Sequence, residues 1–167
     1  LNNTGEISLN VDVQLNDTLP PMPRIGLSTT LNKPSDTQVN WLGLGPFENY
    51  PDRKAAARLG YYSAQYNELY TPYIFPTDNG VRSDCQLLCI NNLNITGAFL
   101  FAASEYSQSM LTQAKHTNEL VADDCLHVHI DHQHMGVGGD DSWSPSTHKE
   151  YLLEQKQYNY SLKFSAK

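Results

Sequence analysis

Glu6-Ile-Ser-Leu-Asn-Val-Asp-Val-Gln-Leu15 alternates apolar and polar residues without a break. Successive side chains of an extended chain point to opposite faces. Ile7, Leu9, Val11, Val13 and Leu15 therefore share one face, with Ser8, Asn10, Asp12 and Gln14 on the other. The stretch reads as a strand buried on one side and wet on the other. Arg24–Leu31 and Gln38–Leu44 read as the next two strands, divided by the turn formers at 32–36. Further strands are predicted at 81–91, 95–103, 106–115, 125–132, 149–153 and 157–165. In the last, Tyr158, Tyr160, Leu162 and Phe164 alternate cleanly. Many short strands with turns between them and little helix predict an all-β chain folded as a β-sandwich. No repeat or internal linker divides it, so residues 1–167 read as one domain.

Between Gly45 and Gly80 the alternation fails. Gly45–Arg53 holds too many turn formers for a strand, Lys54–Leu59 has the alanines for one or two helical turns, and 70–80 is extended and punctuated by proline. An excursion of this length in a compact domain tends to be functional.

The balance of 11 Lys and Arg against 18 Asp and Glu gives a net charge of −7. This argues against nucleic acid or an anionic membrane as partner, since both call for a basic patch. No apolar run reaches the length of a membrane span, and no signal-peptide pattern precedes Ile7. With Leu1 in first place, the chain reads as a piece of a longer polypeptide. Three cysteines, Cys85, Cys89 and Cys125, cannot all pair, which suggests free thiols in a reducing compartment. Within one regular strand Cys85 and Cys89 would share a face, and core packing is their expected role.

Two constellations stand out. His127-Val-His-Ile-Asp-His-Gln-His134 puts His127, His129 and Asp131 on one strand face, a set that can bind zinc or iron or can simply be solvated. No third ligand is fixed by the spacing, so no metal site is assigned. The second is His134-Met-Gly-Val-Gly-Gly-Asp-Asp-Ser-Trp-Ser-Pro145. Its glycines permit positive φ, its aspartates favour a tight turn, and Trp143 is poorly placed to fill a core. Such a ring either folds back on the sheet or offers a flat face to a ligand, and sugars present flat C–H faces to such rings. Carboxylates near the unusual loops form no recognisable acid and nucleophile pair, and there is no nucleophile elbow, P-loop or dinucleotide fingerprint.

Four motifs in order carry a resemblance: Arg24-Ile-Gly-Leu27, Val39-Asn-Trp-Leu-Gly-Leu-Gly-Pro-Phe-Glu-Asn-Tyr-Pro-Asp-Arg53, Tyr70-Thr-Pro-Tyr-Ile-Phe-Pro-Thr-Asp-Asn-Gly80 and the His134–Pro145 stretch. From about residue 6 onward the chain resembles the C-terminal, small-chain domain of LacZ-type bacterial β-galactosidases, glycoside hydrolase family 2. The resemblance implies a supersandwich of the galactose mutarotase-like kind, here truncated on its N-terminal side. It implies a cytoplasmic, homo-oligomeric hydrolase of carbohydrate metabolism that cleaves lactose and other β-galactosides with retention. The family's catalytic glutamates, with its magnesium and sodium ions, belong to a barrel domain or large subunit outside this chain. No catalytic residue and no cofactor are therefore expected here, and the chain alone is expected to be inactive. The resemblance also implies that Trp143 binds sugar in the acceptor subsite, with His134, Asp140, Asp141 and Ser142 supporting its loop. Phe47, His127, His129 and His132 depart from the family pattern, and Phe47 is expected to be a surface or interface change. Two alternatives are a stand-alone carbohydrate-binding module, which would bind galactosides unaided, and an aldose mutarotase-like protein, which would need an acid and base pair.

Overall fold

The opening alternation forms strand β1 (Ile7–Gln14), paired antiparallel along its length with β8 (Gln157–Ala166), Ile7 opposite Phe164 and Gln14 opposite Gln157. The computed structural model describes residues 5–33, 36–141, 143, 144 and 146–166. Between these two strands in sequence lie β2 (Arg24–Asn32), β3 (Gln38–Gly45), β4 (Arg58–Gln65), β5 (Arg82–Ile90), β6 (Leu93–Ser104) and β7 (Cys125–His134). All pairings are antiparallel.

The sheet runs β1-β8-β6-β5-β3-β4, with β7 also on β6 and β2 on β7. Strand β6 is the branch point. Its first half pairs with β8 and its second half with β7, while β5 follows the opposite edge. Gly97, at φ +149°, ends the β8 pairing, and a Cβ there would lie 2.9 Å from Leu162 Cδ2 and 3.0 Å from Ser161 O. The branch divides one sheet into arms that share a core. Trp41 and Leu88 on one side, Phe101 at the branch, and Leu126, Val128 and Ile130 of β7 belong to a single buried cluster. Trp41 meets Phe101 edge-on at 5.7 Å and Tyr62 at 5.3 Å. The fold is all-β and of the sandwich type, as the alternation predicts.

The structure corrects four sequence expectations. Residues 58–65 form strand β4 where the sequence suggested helical turns at 54–59, and only a turn closes there, Ala57 N–H donating to Lys54 O at 3.0 Å. As an edge strand β4 turns Leu59 and Tyr61 to solvent, each 64% exposed, which erased the alternation signal. Residues 106–115 hold helix α1 (Gln108–Gln113) instead of a strand. Ser107 accepts the Met110 N–H as its N-cap, and Leu111 is the buried anchor. Residues 149–153 hold a short 3-10 turn at Lys149–Tyr151, and only Leu153 bridges to Met22. Finally, Cys85 and Cys89 do not share a face. The register of β5 slips between Cys85, opposite Phe99, and Leu87, opposite Thr96. One residue of slip inverts every later side chain, so Cys85 joins the core while Cys89 lies outside that cluster. All three thiols are free.

The 45–80 excursion is fastened rather than loose. Arg82, almost wholly buried, donates from Nη1 to Leu69 O (3.0 Å) and Gly80 O (2.8 Å), and from Nε and Nη2 to Pro46 O (3.2 and 3.0 Å). Asn49 Oδ1 accepts the Ser83 N–H at 3.0 Å, and Glu48 accepts from Gly80 N (2.8 Å), Arg53 and Tyr73. Two of the four recognised motifs are thereby locked together. Phe47, within the first of them, is exposed on the surface.

Candidate functional site

Strand β7 buries Leu126, Val128 and Ile130 and turns Cys125, His127, His129 and Asp131 to its other face. The face divides into two environments. At its far end Asp131 is 1% exposed and accepts from Arg24 Nη2 (2.7 Å) and Nε (3.1 Å). Arg24 Nη1 also reaches Asp78 Oδ2 (3.0 Å) and Gln108 Oε1 (3.1 Å). Burial pushes the Asp131 carboxyl up to about 6 against the pull of Arg24. Burial, aided by the charge of Arg24, pushes His129 down to about 4. Burial acts to raise Asp78 as well, but His134, whose Nε2 lies 3.9 Å from Asp78 Oδ2, and the Arg24 charge outweigh it and hold Asp78 below its ordinary range. Of the histidine and aspartate that the alternation aligned, Asp131 is thus held in an ion-pair network with Arg24 and Asp78, and His129 is kept neutral beside it. His127 belongs to the near end of the strand, beside Asp123 and Cys125. His132 stacks on Tyr160, with centroids 4.8 Å apart.

The Trp loop leaves β7 at His134, which is buried. Its Nδ1–H donates to Met135 O at 2.7 Å and its ring meets Tyr50 at 5.5 Å. Met135 N donates to Pro23 O and Gly136 N to Tyr151 O, both at 2.9 Å. The next two amides converge on one carboxylate, Val137 N on Asp52 Oδ1 (3.1 Å) and Gly138 N on Asp52 Oδ2 (2.8 Å). Gly136 permits that approach, since a Cβ there would stand 2.6 Å from Asp52 Oδ2. Gly138 turns the chain at φ +66°.

Beyond the glycines, Asp140 bonds His148, and that hydrogen bond raises the imidazole's pKa. Asp141 Oδ1 accepts the N–H groups of Trp143 (2.8 Å) and Ser144 (2.7 Å), closing an Asx turn under the tryptophan. The Trp143 side chain is 91% exposed. It does not fold back onto the sheet. Ser142, expected among the supporting residues, lies outside the described residues. Beside the loop lies an open cleft of about 540 Å³, lined among others by Arg24, Tyr50, Arg53, Tyr73, Asp78 and His134.

Sequence reading named Trp143, His134, Asp140 and Asp141 but not the anchor, Asp52, whose partners lie 85 and 86 residues away. Its only signal was its place in the Asn49–Arg53 motif. Hydrogen bonds to a carboxylate contribute roughly 1.5–3 kcal/mol when well made, less where solvent competes. Asp52→Ala is therefore expected to speed amide exchange at Val137 and Gly138 about tenfold. Unchanged exchange would remove Asp52 from this role.

Fold and loop together define a class: an all-β domain that presents an exposed aromatic ring on a tethered, glycine-rich loop. Residues 1–164 match the family described as beta galactosidase small chain, and the chain belongs to that family. It is 89% identical to a beta-galactosidase of Pseudoalteromonas haloplanktis over 97% of this chain. It is 59% identical to one from Photobacterium profundum over 97% of the chain, and 56% identical to one from Alteromonas mediterranea over its whole length. In each case the chain spans 16% of the relative's length. No helix among the described residues is long and apolar enough to cross a membrane.

Proposed function

We propose that this chain is the non-catalytic small-chain portion of a cytoplasmic, retaining β-galactosidase, and that Trp143 offers its ring to the glucose moiety of lactose or to an acceptor sugar. The observation that carries the reading is the 91% exposure of Trp143 on a loop whose backbone is bonded to Asp52, Tyr151 and Asp141. A ring held so firmly and covered so little is pre-organised for a flat ligand face. By the family resemblance, the catalytic glutamates and the magnesium and sodium ions reside in the barrel domain that this loop faces in the assembled, homo-oligomeric enzyme.

In the intact enzyme, Trp143→Ala is expected to raise KM for lactose roughly tenfold, equivalent to about 1.4 kcal/mol of binding, with a smaller change in kcat. It should also weaken glucose as a galactosyl acceptor, and Trp143→Phe should retain most of both. Steady-state kinetics and acceptor competition read the outcome. Unchanged KM with unchanged acceptor use would overturn the assignment.

A further inference from the structure

We propose that Asp123, Cys125 and His127 form a binding site for a divalent ion of the zinc class at the start of β7. The three donor atoms lie within 4.8 Å of one another. Cys125 Sγ is 3.7 Å from His127 Nε2, and His127 Nε2 is 2.6 Å from Asp123 Oδ2. Tetrahedral zinc with N, O and S donors at about 2.0–2.3 Å sets donor separations of about 3.3–3.7 Å. The Cys125–His127 spacing already meets this. The Asp123–His127 pair needs to open by less than about 1 Å, exchanging one hydrogen bond for two metal bonds.

The local chain builds the site. Leu126 and Val128 are drawn into the core, so Cys125 and His127, two apart, must share the outer face. Asp123 is pinned from both sides, its N–H donating to Glu105 O at 2.8 Å and its carbonyl accepting from Lys33 Nζ. The Lys33 ammonium pairs with Glu105 Oε2 at 3.3 Å, which leaves the Asp123 carboxylate to face His127. His127 and Asp123 side chains keep 20% and 38% exposure, enough for an ion to enter and for water to complete four-coordination. A thiolate and an imidazole select zinc, cobalt or cadmium over magnesium or sodium, which take oxygen donors. A bound ion would clamp the end of the 105–124 segment to β7 and, through the Asn32 pairing, to β2. The site does not depend on the role given to Trp143.

The test uses the full-length enzyme, stripped with a chelator and titrated with Co(II). A thiolate-to-cobalt charge-transfer band is expected in the near ultraviolet, absent from Cys125→Ser and removed by equimolar Zn(II). A second measurement needs no variant. Zn(II) should slow alkylation of Cys125 at least tenfold, mapped by peptide mass, and leave Cys89 unaffected. A missing band, a band that survives Cys125→Ser, or alkylation of Cys125 indifferent to zinc would each overturn the proposal.

Discussion

Arg24→Met is expected to destabilise the protein by about 3–5 kcal/mol, the usual cost of removing one partner of a buried ion pair. Arg24 is the only cation bonded to Asp131 among the described residues, and it also holds Asp78. Its loss leaves two carboxylates facing each other around a buried site, with His129 beside them. Met matches the volume of the stem, so the cost isolates the charge and its hydrogen bonds. Arg24→Lys should fall between, because one ammonium does not reproduce the fork that bonds Asp131 through two nitrogens. Urea midpoints of the three proteins measure the order. A midpoint for Arg24→Met within error of the wild type would show that the network contributes nothing.

The same network sets a pH dependence with opposing signs. Asp131 titrates at about 6 in the folded protein, above its ordinary 3.8. Its contribution to stability is therefore full below about pH 4 and is lost as pH rises through 6. His129 is the reverse case, moved from 6.5 down to about 4 by burial and then by Arg24. Its contribution is present above pH 6.5 and lost as pH falls through 4. The two nearly cancel across this window, so the stability of the wild type should change little between pH 6.5 and 4 on their account. Asp131→Asn keeps an acceptor for Arg24 but removes the proton uptake. Its stability should fall visibly over the same range, by roughly 2–3 kcal/mol if His129 acts alone. A flat profile in that variant would mean that His129 is not held neutral by the fold.

What could be read from the sequence follows from how far each residue's partners lie along the chain. β1 and β8 were legible because local alternation alone separates their faces. β4 was not, because an edge strand exposes Leu59 and Tyr61, and its inward Gly60 and Tyr62 give no regular signal. The β5 register slip was equally hidden, since nothing near Cys85 announces a bulge that only the pairing with β6 reveals. In the loop, Asp141 and Trp143 could be found from spacing, because an Asx turn is local. Asp52 could not, because its bond to Gly138 exists only once β7 and the 45–80 segment are folded together. The histidine run shows the same limit. Alternation placed His127, His129 and Asp131 on one face, but their partners, Asp123 and Arg24, decided that they belong to separate sites.

Arg82 is where that folding together is most exposed to mutation, and Arg82→Met is expected to cost at least about 3 kcal/mol. Burial lowers its pKa to about 10, so the guanidinium remains charged at neutral pH. No carboxylate among the described residues forms an ion pair with it. Three carbonyls, from Pro46, Leu69 and Gly80, face it instead, and its guanidinium lies 5.7 Å from the Trp41 ring centroid. A methionine would fill the space and leave those carbonyls without donors, at roughly 1–3 kcal/mol each. Relief from burying a charge offsets part of this. The damage should spread along a definite path. Pro46 and Gly80 belong to the segments that Glu48 also joins, so amide exchange at Gly80 should quicken first. Asp52 lies on the first of those segments, so exchange at Val137 and Gly138 should follow, and with it the fixed orientation of Trp143. On the sugar-stacking role proposed for Trp143, the intact enzyme would then show a raised KM for lactose from a substitution that touches no sugar. If the unfolding midpoint drops while the Val137 and Gly138 amides stay protected, the loop is held by Asp52 independently of Arg82, and the two motifs are stable apart.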